Sequence, residues 1–459
     1  MRRPLASLGL TRLATVAAVA ALLVLAVAAP AAAAGPPTLV KDINPTGSSF
    51  PTDLTVVGNT VFFAADDGIH GVELWKSDGT AAGTKMVKDI RPYGAASSAP
   101  SDLINFNGTL LFTAYDGRHA WQLWKSDGTK AGTVMVGTTT AAADAACLRP
   151  SAMGFDPDFP PINAGDKVFY FVSGGGCVTN YQLYVTDGTA AGSHQIEAVD
   201  LFDVDPESID AATLAGKLYF TVDGAMWVSD GTESGTHLMD GAPTGVGVKF
   251  LPAHGQNLYF MTGNWEDWPA QTQLWKTDGT AQGTKPLSTS AQLRPDNTQA
   301  VYMAKRLYFT NFYWDDNKND YYGQLWKTDG TVAGTRPIFT VEGWSIQGLT
   351  QAAGKLYFTT GSQLWRSDGT PAGTKAVGQF GAYTPRDLIA VGNELCFAQM
   401  DWNAGTWSVW ASNGTALGTY QAGTFAGNPE QLEQAALGGK LMFAANDITH
   451  GVELWRYTP

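Results

Sequence analysis

Three cysteines and six histidines in 459 residues leave little material for a disulfide framework or a thiolate metal site. No Cys-x-x-Cys pair occurs and no histidine stands near the cysteines, so a structural zinc site is not expected. Of the three, Cys147 and Cys177 lie on connections expected to emerge on one face of the fold, and a disulfide between them is the expectation. Cys396 falls inside the apolar run Glu394-Leu395-Cys396-Phe397 and is expected to be a buried free thiol. Charge is also scarce, at 15 % of residues, and it is unbalanced: 29 basic against 42 acidic side chains give a net charge of −13. A phosphate backbone needs a basic surface, so a nucleic-acid partner is not expected. Gly-x-Ser-x-Gly elbows, His-Glu-x-x-His helices, P-loops and dinucleotide fingerprints are all missing, which argues against the common hydrolases and nucleotide enzymes. The chain has one long apolar run, Leu13 to Ala29, preceded by Arg2, Arg3 and Arg12 and followed by Ala32-Ala33-Ala34. That is the pattern of a secretory signal over 1–34, with an uncleaved anchor as the competing reading. Cleavage after Ala34 would take the net charge to −16 and leave no further membrane span in 35–459.

What the chain has in abundance is one phrase. Leu-Trp-Lys-Ser-Asp-Gly-Thr-x-x-Gly-Thr, or a close variant, is centred on Trp75, Trp124, Tyr184, Trp227, Trp275, Trp326, Trp365 and Trp410, and Trp455 opens a ninth copy. The spacings of 49, 60, 43, 48, 51, 39, 45 and 45 residues fall in the range of repeat units rather than separate domains. Each unit reads as four short strands. In the first, these are Asp53 to Val57, Val61 to Ala65, Val72 to Ser77 and Thr84 to Ile90, separated by turn residues such as Asn59 and Asp66-Asp67-Gly68. The second strand recurs as Leu-Tyr-Phe at 218–220, 258–260, 307–309 and 356–358, with apolar groups on both faces. Such a sheet must be sandwiched between copies of itself, as the blades of a propeller are.

The two ends of the chain match different strands of the unit. Val40-Lys41-Asp42-Ile43-Asn44-Pro45 resembles the fourth strand at Val87-Lys88-Asp89-Ile90-Arg91-Pro92. Gly451-Val452-Glu453-Leu454-Trp455 repeats the third strand at Gly71-Val72-Glu73-Leu74-Trp75. The expectation is an all-β, single closed β-propeller of four-stranded blades over 35–459, nine in number, with the amino-terminal strand completing the last blade and so removing two sheet edges. Eight blades, or two smaller propellers, are the alternatives.

Asp78-Gly79-Thr80 and its copies sit between third and fourth strands, where Asp bonds its own backbone and Gly takes positive φ. Turn chemistry therefore accounts for Asp78, Asp127, Asp187, Asp230, Asp278, Asp329, Asp368 and Asn413 without a metal. The phrase Glu73-Leu74-Trp75-Lys76-Ser77-Asp78-Gly79-Thr80 resembles the ELWxxDGT repeat family of exported bacterial proteins, with departures at Tyr184 and Asn413. The turn is also similar to the Asp-box of sialidase-type propellers, though it lacks the full spacing of that motif. Neither resemblance implies a reaction or transfers a catalytic residue.

Function is expected where the units differ. The long connections between second and third strands carry Trp265 and Trp268 in the fifth unit, Tyr313, Trp314, Asp315 and Tyr321 in the sixth, and Trp402 and Trp407 in the eighth. The third unit adds a proline-rich insertion around Phe155. Aromatic rings beside carboxylates and amides suit a sugar, whose C–H patches stack on rings while its hydroxyls hydrogen-bond. Packing of these rings on one another is the plain alternative. Asp315, Asn317 and Asn319 alternate as calcium ligands do, but lack the Gly and distal Glu of an EF-hand loop, so no cofactor is expected. His70, His119 and His450 each stand five residues before the repeat Trp, with Arg118 nearby; they are weak candidates for acid/base chemistry, and a place in the recurring turn before the third strand is the expected reading. The resulting expectation is a secreted or periplasmic, non-catalytic module that recognises a glycan or cell-surface polymer. A polysaccharide lyase or hydrolase and an extracellular protein-interaction scaffold are the alternatives.

Overall fold

The computed structural model describes residues 35–459 apart from 120, 137–160, 174–180, 200, 202–203, 205–208, 264–271, 289–292, 294–297, 316, 382 and 428–431. The leader expected over 1–34, the Cys147 and Cys177 pair, and Trp265 and Trp268 lie outside the described residues. Residues 34–459 form one compact unit, and among the described residues every regular element is a β-strand.

A short strand, β1 (Thr38–Lys41), precedes the first repeat, which is β2 (Thr52–Val57), β3 (Thr60–Asp66), β4 (Val72–Ser77) and β5 (Lys85–Lys88), paired in that order as an antiparallel meander. The same four-strand order recurs in six further separate sheets. An eight-stranded sheet holds the remaining two units, joined by one bridge between Ala426 and Asn446. In its last unit the outer place is taken by β1, which pairs antiparallel with Val452–Tyr457, Thr38 opposite Arg456 and Leu39 opposite Trp455. The two ends of the chain thus share a sheet, as their sequence matches predict. Because β1 covers it, the strand ending the sequence is not a free edge.

Both faces of the second and third strands are apolar, and the cores lie between successive units. Val61, Phe63 and Trp75 of the first unit pack with Val40, Ala435, Leu437, Met442 and Leu454 of the last. Val57, Phe62 and Leu74, on the other face, pack with Leu103, Leu110 and Phe112 of the second unit. The repeat Trp stacks on the Phe opposite it, as in Phe358 and Trp365 at 6.3 Å and 2°. Its role is packing, in keeping with the stabilising geometry of offset aromatic pairs.

The repeated phrase is a hydrogen-bonded turn in which nearly every residue has a partner. Asp78 Oδ1 accepts from Thr80 N and Thr80 Oγ1 at 2.9 and 2.6 Å, Thr80 Oγ1 accepts from Gly83 N at 3.0 Å, and Ser77 Oγ meets Thr84 Oγ1 at 2.7 Å. A Cβ on Gly83 would run into the Asp78 carboxylate, so the second glycine of the phrase has no room for a side chain. The Thr80 hydroxyl, followed by its backbone N–H, holds the Asp78 carboxyl below the usual carboxylate range. Cys396 is fully buried and free, and burial, with Glu394 adding, pushes its thiol up to about 12.

Candidate functional site

The first strands of the units lie side by side, and in several units a polar residue near the start of the strand reaches the next unit. Asp53, Asp102 and Asp387 hold this place with φ of 57°, 55° and 54°. One position earlier in register, where the strand has no bulge, the fourth unit has Asp210, the sixth Gln299 and the ninth Glu433 in a similar role. Three of them accept a backbone N–H of the following unit: Glu433 Oε2 from Asp53 N at 3.0 Å, Asp210 Oδ2 from Phe250 N at 2.5 Å, and Gln299 Oε1 from Leu349 N at 2.8 Å. Asp53 and Asp387 likewise accept from the backbone of Asp102 and Leu432. Sequence reasoning missed this chain of staples, although Pro51-Thr52-Asp53-Leu54, Pro100-Ser101-Asp102-Leu103 and Pro385-Arg386-Asp387-Leu388 repeat it visibly.

Burial, then the charges of Glu433 and Asp102, push the Asp53 carboxyl up to about 6. The folded protein therefore binds a proton between about pH 4 and 6 that the unfolded chain does not, and stability falls as pH rises through that window. Asp53→Asn keeps an acceptor for Asp102 N and removes the charge. It should raise the melting temperature at pH 8, by a stabilisation on the order of 1–2 kcal/mol, and leave it nearly unchanged at pH 4. Thermal melts of both proteins across pH 4–8 check this.

The seventh unit breaks the pattern. Its first strand is Gln347–Ala352, and the register puts Gly348, with φ of 64°, where Asp53, Asp102 and Asp387 stand. With no side chain there, a cavity of about 670 Å³ opens between the sixth, seventh and eighth units. That volume suits a small-ligand site. Its polar lining includes Gln299, Asn311, Gln347, Thr350 and Arg386, and Phe312 supplies an aromatic wall. Arg386 Nε is 3.2 Å from Asp387 Oδ2, and Asp387 is shifted upward by burial, with Arg386 opposing the shift. The cavity lies at the starts of first strands and ends of second strands, the side from which second-to-third hairpins emerge.

Phe312 ties the cavity to the aromatic hairpin of the sixth unit, formed by Arg306–Asp315 and Asp320–Thr328. Tyr321 stacks on Phe312 at 5.1 Å and 11°, and Trp314 meets Tyr321 edge-on at 4.7 Å. Tyr313 stacks instead on Tyr322, at 5.8 Å. Tyr321 is 48 % exposed. Trp344, 57 % exposed and unremarked in the sequence, immediately precedes the cavity residues Ser345 and Ile346 and lies over Gly361. Four of the expected residues, Tyr313, Trp314, Asp315 and Tyr321, thus share one hairpin beside a cavity. The Asp315 carboxylate accepts from Asn317 N at 3.0 Å and Lys318 N at 3.3 Å, and Asn319 takes a positive φ of 55°, so these residues cap the turn.

Trp402 is exposed on the separate hairpin of the eighth unit, beside Asp401, whose carboxylate accepts from Asn403 N and Ala404 N. Trp407 is a correction. It is 1 % exposed, stacks on Phe425 at 5.1 Å and meets Phe443 edge-on at 5.9 Å, so it offers no face to a ligand. Strand alternation turns it to the side opposite Trp410 and into the core shared with the last unit.

The histidines belong to a turn. Asp67 Oδ1 accepts from Ile69 N and His70 N, and its Oδ2 meets His70 Nδ1 at 2.8 Å. Asp116 with His119, at 2.7 Å, and Asp447 with His450, at 2.6 Å, repeat the arrangement. The Asp67 bond raises the His70 pKa, and the Asp447 bond raises that of His450. Arg118 donates from Nε to Tyr93 Oη at 3.2 Å. Each imidazole is thereby engaged by its own aspartate, and among the described residues no group of three or more His, Cys, Asp or Glu side chains is arranged to hold a metal ion.

No family model matches the chain, and no curated protein matches it. Solved structures do match. One titled as the eukaryotic initiation factor has 13 % identity and a TM-score of 0.48, covering 90 % of this chain and 96 % of its own. The β-propeller domain of the Trilobed protease from Pyrococcus furiosus has 12 % identity and a TM-score of 0.37, with 83 % and 100 % covered. Porphyromonas gingivalis dipeptidyl peptidase 4 has 10 % identity and a TM-score of 0.46, with 73 % of this chain covered. This chain spans about half the length of that peptidase, 54 %, and the same share of a prolyl endopeptidase. At these identities and scores the matches assign no activity.

Proposed function

We propose that this protein is an exported, closed nine-bladed propeller of the ELWxxDGT repeat type that binds a glycan without turning it over. The pairing of β1 with Val452–Tyr457 and the core shared by the first and last units support closure. The basic, apolar and alanine-rich leader supports export. The observation that carries the glycan reading is the cavity opened at Gly348, with amide, hydroxyl and guanidinium groups inside and the rings of Phe312, Tyr321 and Trp314 leading to it. Side-chain amides satisfy sugar hydroxyls in either donor sense, and the rings cover apolar sugar faces. The engagement of His70, His119 and His450 within their turns leaves the non-catalytic reading ahead of a lyase or hydrolase.

The test is depletion of the purified protein, from residue 35 onward, by a panel of insoluble and immobilised polysaccharides, with released sugar assayed in the same tubes. Retention on a polymer without sugar release is expected, together with at least a tenfold loss of retention in the Trp314→Ala, Tyr321→Ala double variant. Sugar release abolished by His70→Ala would establish an enzyme instead. Retention on no polymer would favour the protein-interaction scaffold.

A further inference from the structure

A second cavity, of about 680 Å³, lies between the outer strand of the seventh unit and the sheet of the eighth. It has a local cause. The residue two before the repeat Trp is Glu73, Gln122, Gln182, Gln273, Gln324, Gln363 or Glu453 in seven units, and Ala225 in the fourth. In the eighth it is Ser408, and the space a longer side chain would take is lined by polar groups. Gln421 Nε2 donates to Ser408 Oγ at 2.9 Å and to Thr424 Oγ1 at 2.6 Å, which leaves the Gln421 carbonyl oxygen as an acceptor. Thr406 adds a hydroxyl, and Tyr383 and Phe380 add rings, while the Thr419 hydroxyl is held in its turn by Thr415 O and Ser412 Oγ.

The indole of Trp410 borders the same cavity. In the fifth, sixth and seventh units the corresponding indole N–H is bonded: Trp275 to Thr262 Oγ1 at 2.9 Å, Trp326 to Gln324 Oε1 at 2.8 Å, and Trp365 to Thr360 Oγ1 at 2.9 Å. The register places Gln399 where Thr262 and Thr360 stand, but its amide donates to Phe380 O. Trp410 Nε1 is buried and has no partner among the described residues. The indoles of Trp75, Trp124 and Trp455 share that lack. A buried donor without an acceptor is costly, and the enclosed Trp410 N–H leaves the polar contacts of the cavity to its other lining groups.

Among the described residues no lysine or arginine lines this cavity, and the one carboxylate there, Asp401, is turned to the backbone of Asn403 and Ala404. Nothing there would neutralise a phosphate, sulfate or uronate, whereas the cavity at Gly348 carries Arg386. We propose that the cavity between the seventh and eighth units is a second, separate carbohydrate site that takes a neutral pyranose, with Gln421, Ser408 and the hydroxyls beside them as its polar contacts. A polymer could then be held at two places on neighbouring units, which raises retention beyond either affinity.

Ser408→Gln restores the side chain found in other units and should fill the site. Titration calorimetry of the protein from residue 35 onward with cellohexaose, mannohexaose, xylohexaose, maltohexaose and chitohexaose tests the proposal, with Gly348→Asp and Tyr383→Ala run in parallel and circular dichroism used to check folding. At least one hexaose should bind, with affinity reduced tenfold or more by Ser408→Gln and by the surface variant Tyr383→Ala, and binding should persist in Gly348→Asp. Wild-type affinity in both Ser408→Gln and Tyr383→Ala would overturn the proposal. So would abolition of all binding by Gly348→Asp alone, or no binding of any neutral hexaose.

Discussion

Glu453→Ala is expected to lower stability by about 2–5 kcal/mol and to loosen the segment from Ile43 to Ser49. The Glu453 carboxylate is fully buried and accepts from Ile43 N at 3.0 Å, Asn44 N at 3.3 Å, Ser49 N at 3.1 Å and Ser49 Oγ at 2.6 Å. Ser49 N also reaches Val452 O, so removal of the carboxylate strands the N–H groups of Ile43 and Asn44 above all. Each buried donor left unpaired costs about 1–3 kcal/mol. Glu73 does the same for Ile90, Arg91 and Ser98 between the first and second units. The two positions differ in what they join: Glu73 fastens a connection within 25 residues, while Glu453 fastens segments more than 400 apart. Hydrogen exchange of the Glu453→Ala protein should therefore show faster exchange over β1 and residues 43–49 with the middle units unchanged. Wild-type exchange over that segment would mean that the first and last segments are held by other contacts.

Trp407→Ala should cost about 3–5 kcal/mol and leave polysaccharide retention of the surviving folded protein unchanged. The ring is enclosed by Phe425, Phe443 and the apolar side chains of the eighth and ninth units, and truncation leaves a cavity that a packed sheet cannot collapse. A melting-temperature drop far above that of Trp402→Ala, whose ring is 56 % exposed, is the expected contrast. Equal drops for both tryptophans would contradict the burial argument.

The repeated phrase made the architecture legible because each of its residues has a local duty. Asp78, Thr80, Gly83 and Thr84 bond one another within seven residues, so the turn can be read without knowing what it packs against. The match of Val40 and Lys41 to Val87 and Lys88 likewise predicted a strand that could serve as the outer edge of a sheet, which is where β1 pairs. Trp407 was misread although parity carried the answer: three residues before Trp410, it must point to the opposite face of the strand. The turn role of His70, His119 and His450 was legible because they recur at one place in the unit, and each follows by three residues the aspartate that it meets. The cavities were hidden for a different reason. Gln299, Gly348 and Arg386 are separated by tens of residues, and the informative feature at Gly348 is a side chain that neighbouring units have and this one lacks. Such a gap becomes visible only when first strands are aligned by register, as Asp53, Asp102 and Asp387 allow.

The most direct measurement is retention on the binding polysaccharide of the wild-type protein against Gly348→Asp. Asp53, Asp102 and Asp387 already adopt positive φ at this register, and the closest obstacle to a Cβ is the end of Leu388, 3.2 Å away, so the substitution should fold. It places a carboxylate inside the cavity beside Arg386. The account predicts an unchanged or higher melting temperature with at least a tenfold loss of affinity for the polymer at this site. A folded Gly348→Asp protein that binds like wild type would contradict the assignment of glycan recognition to this cavity.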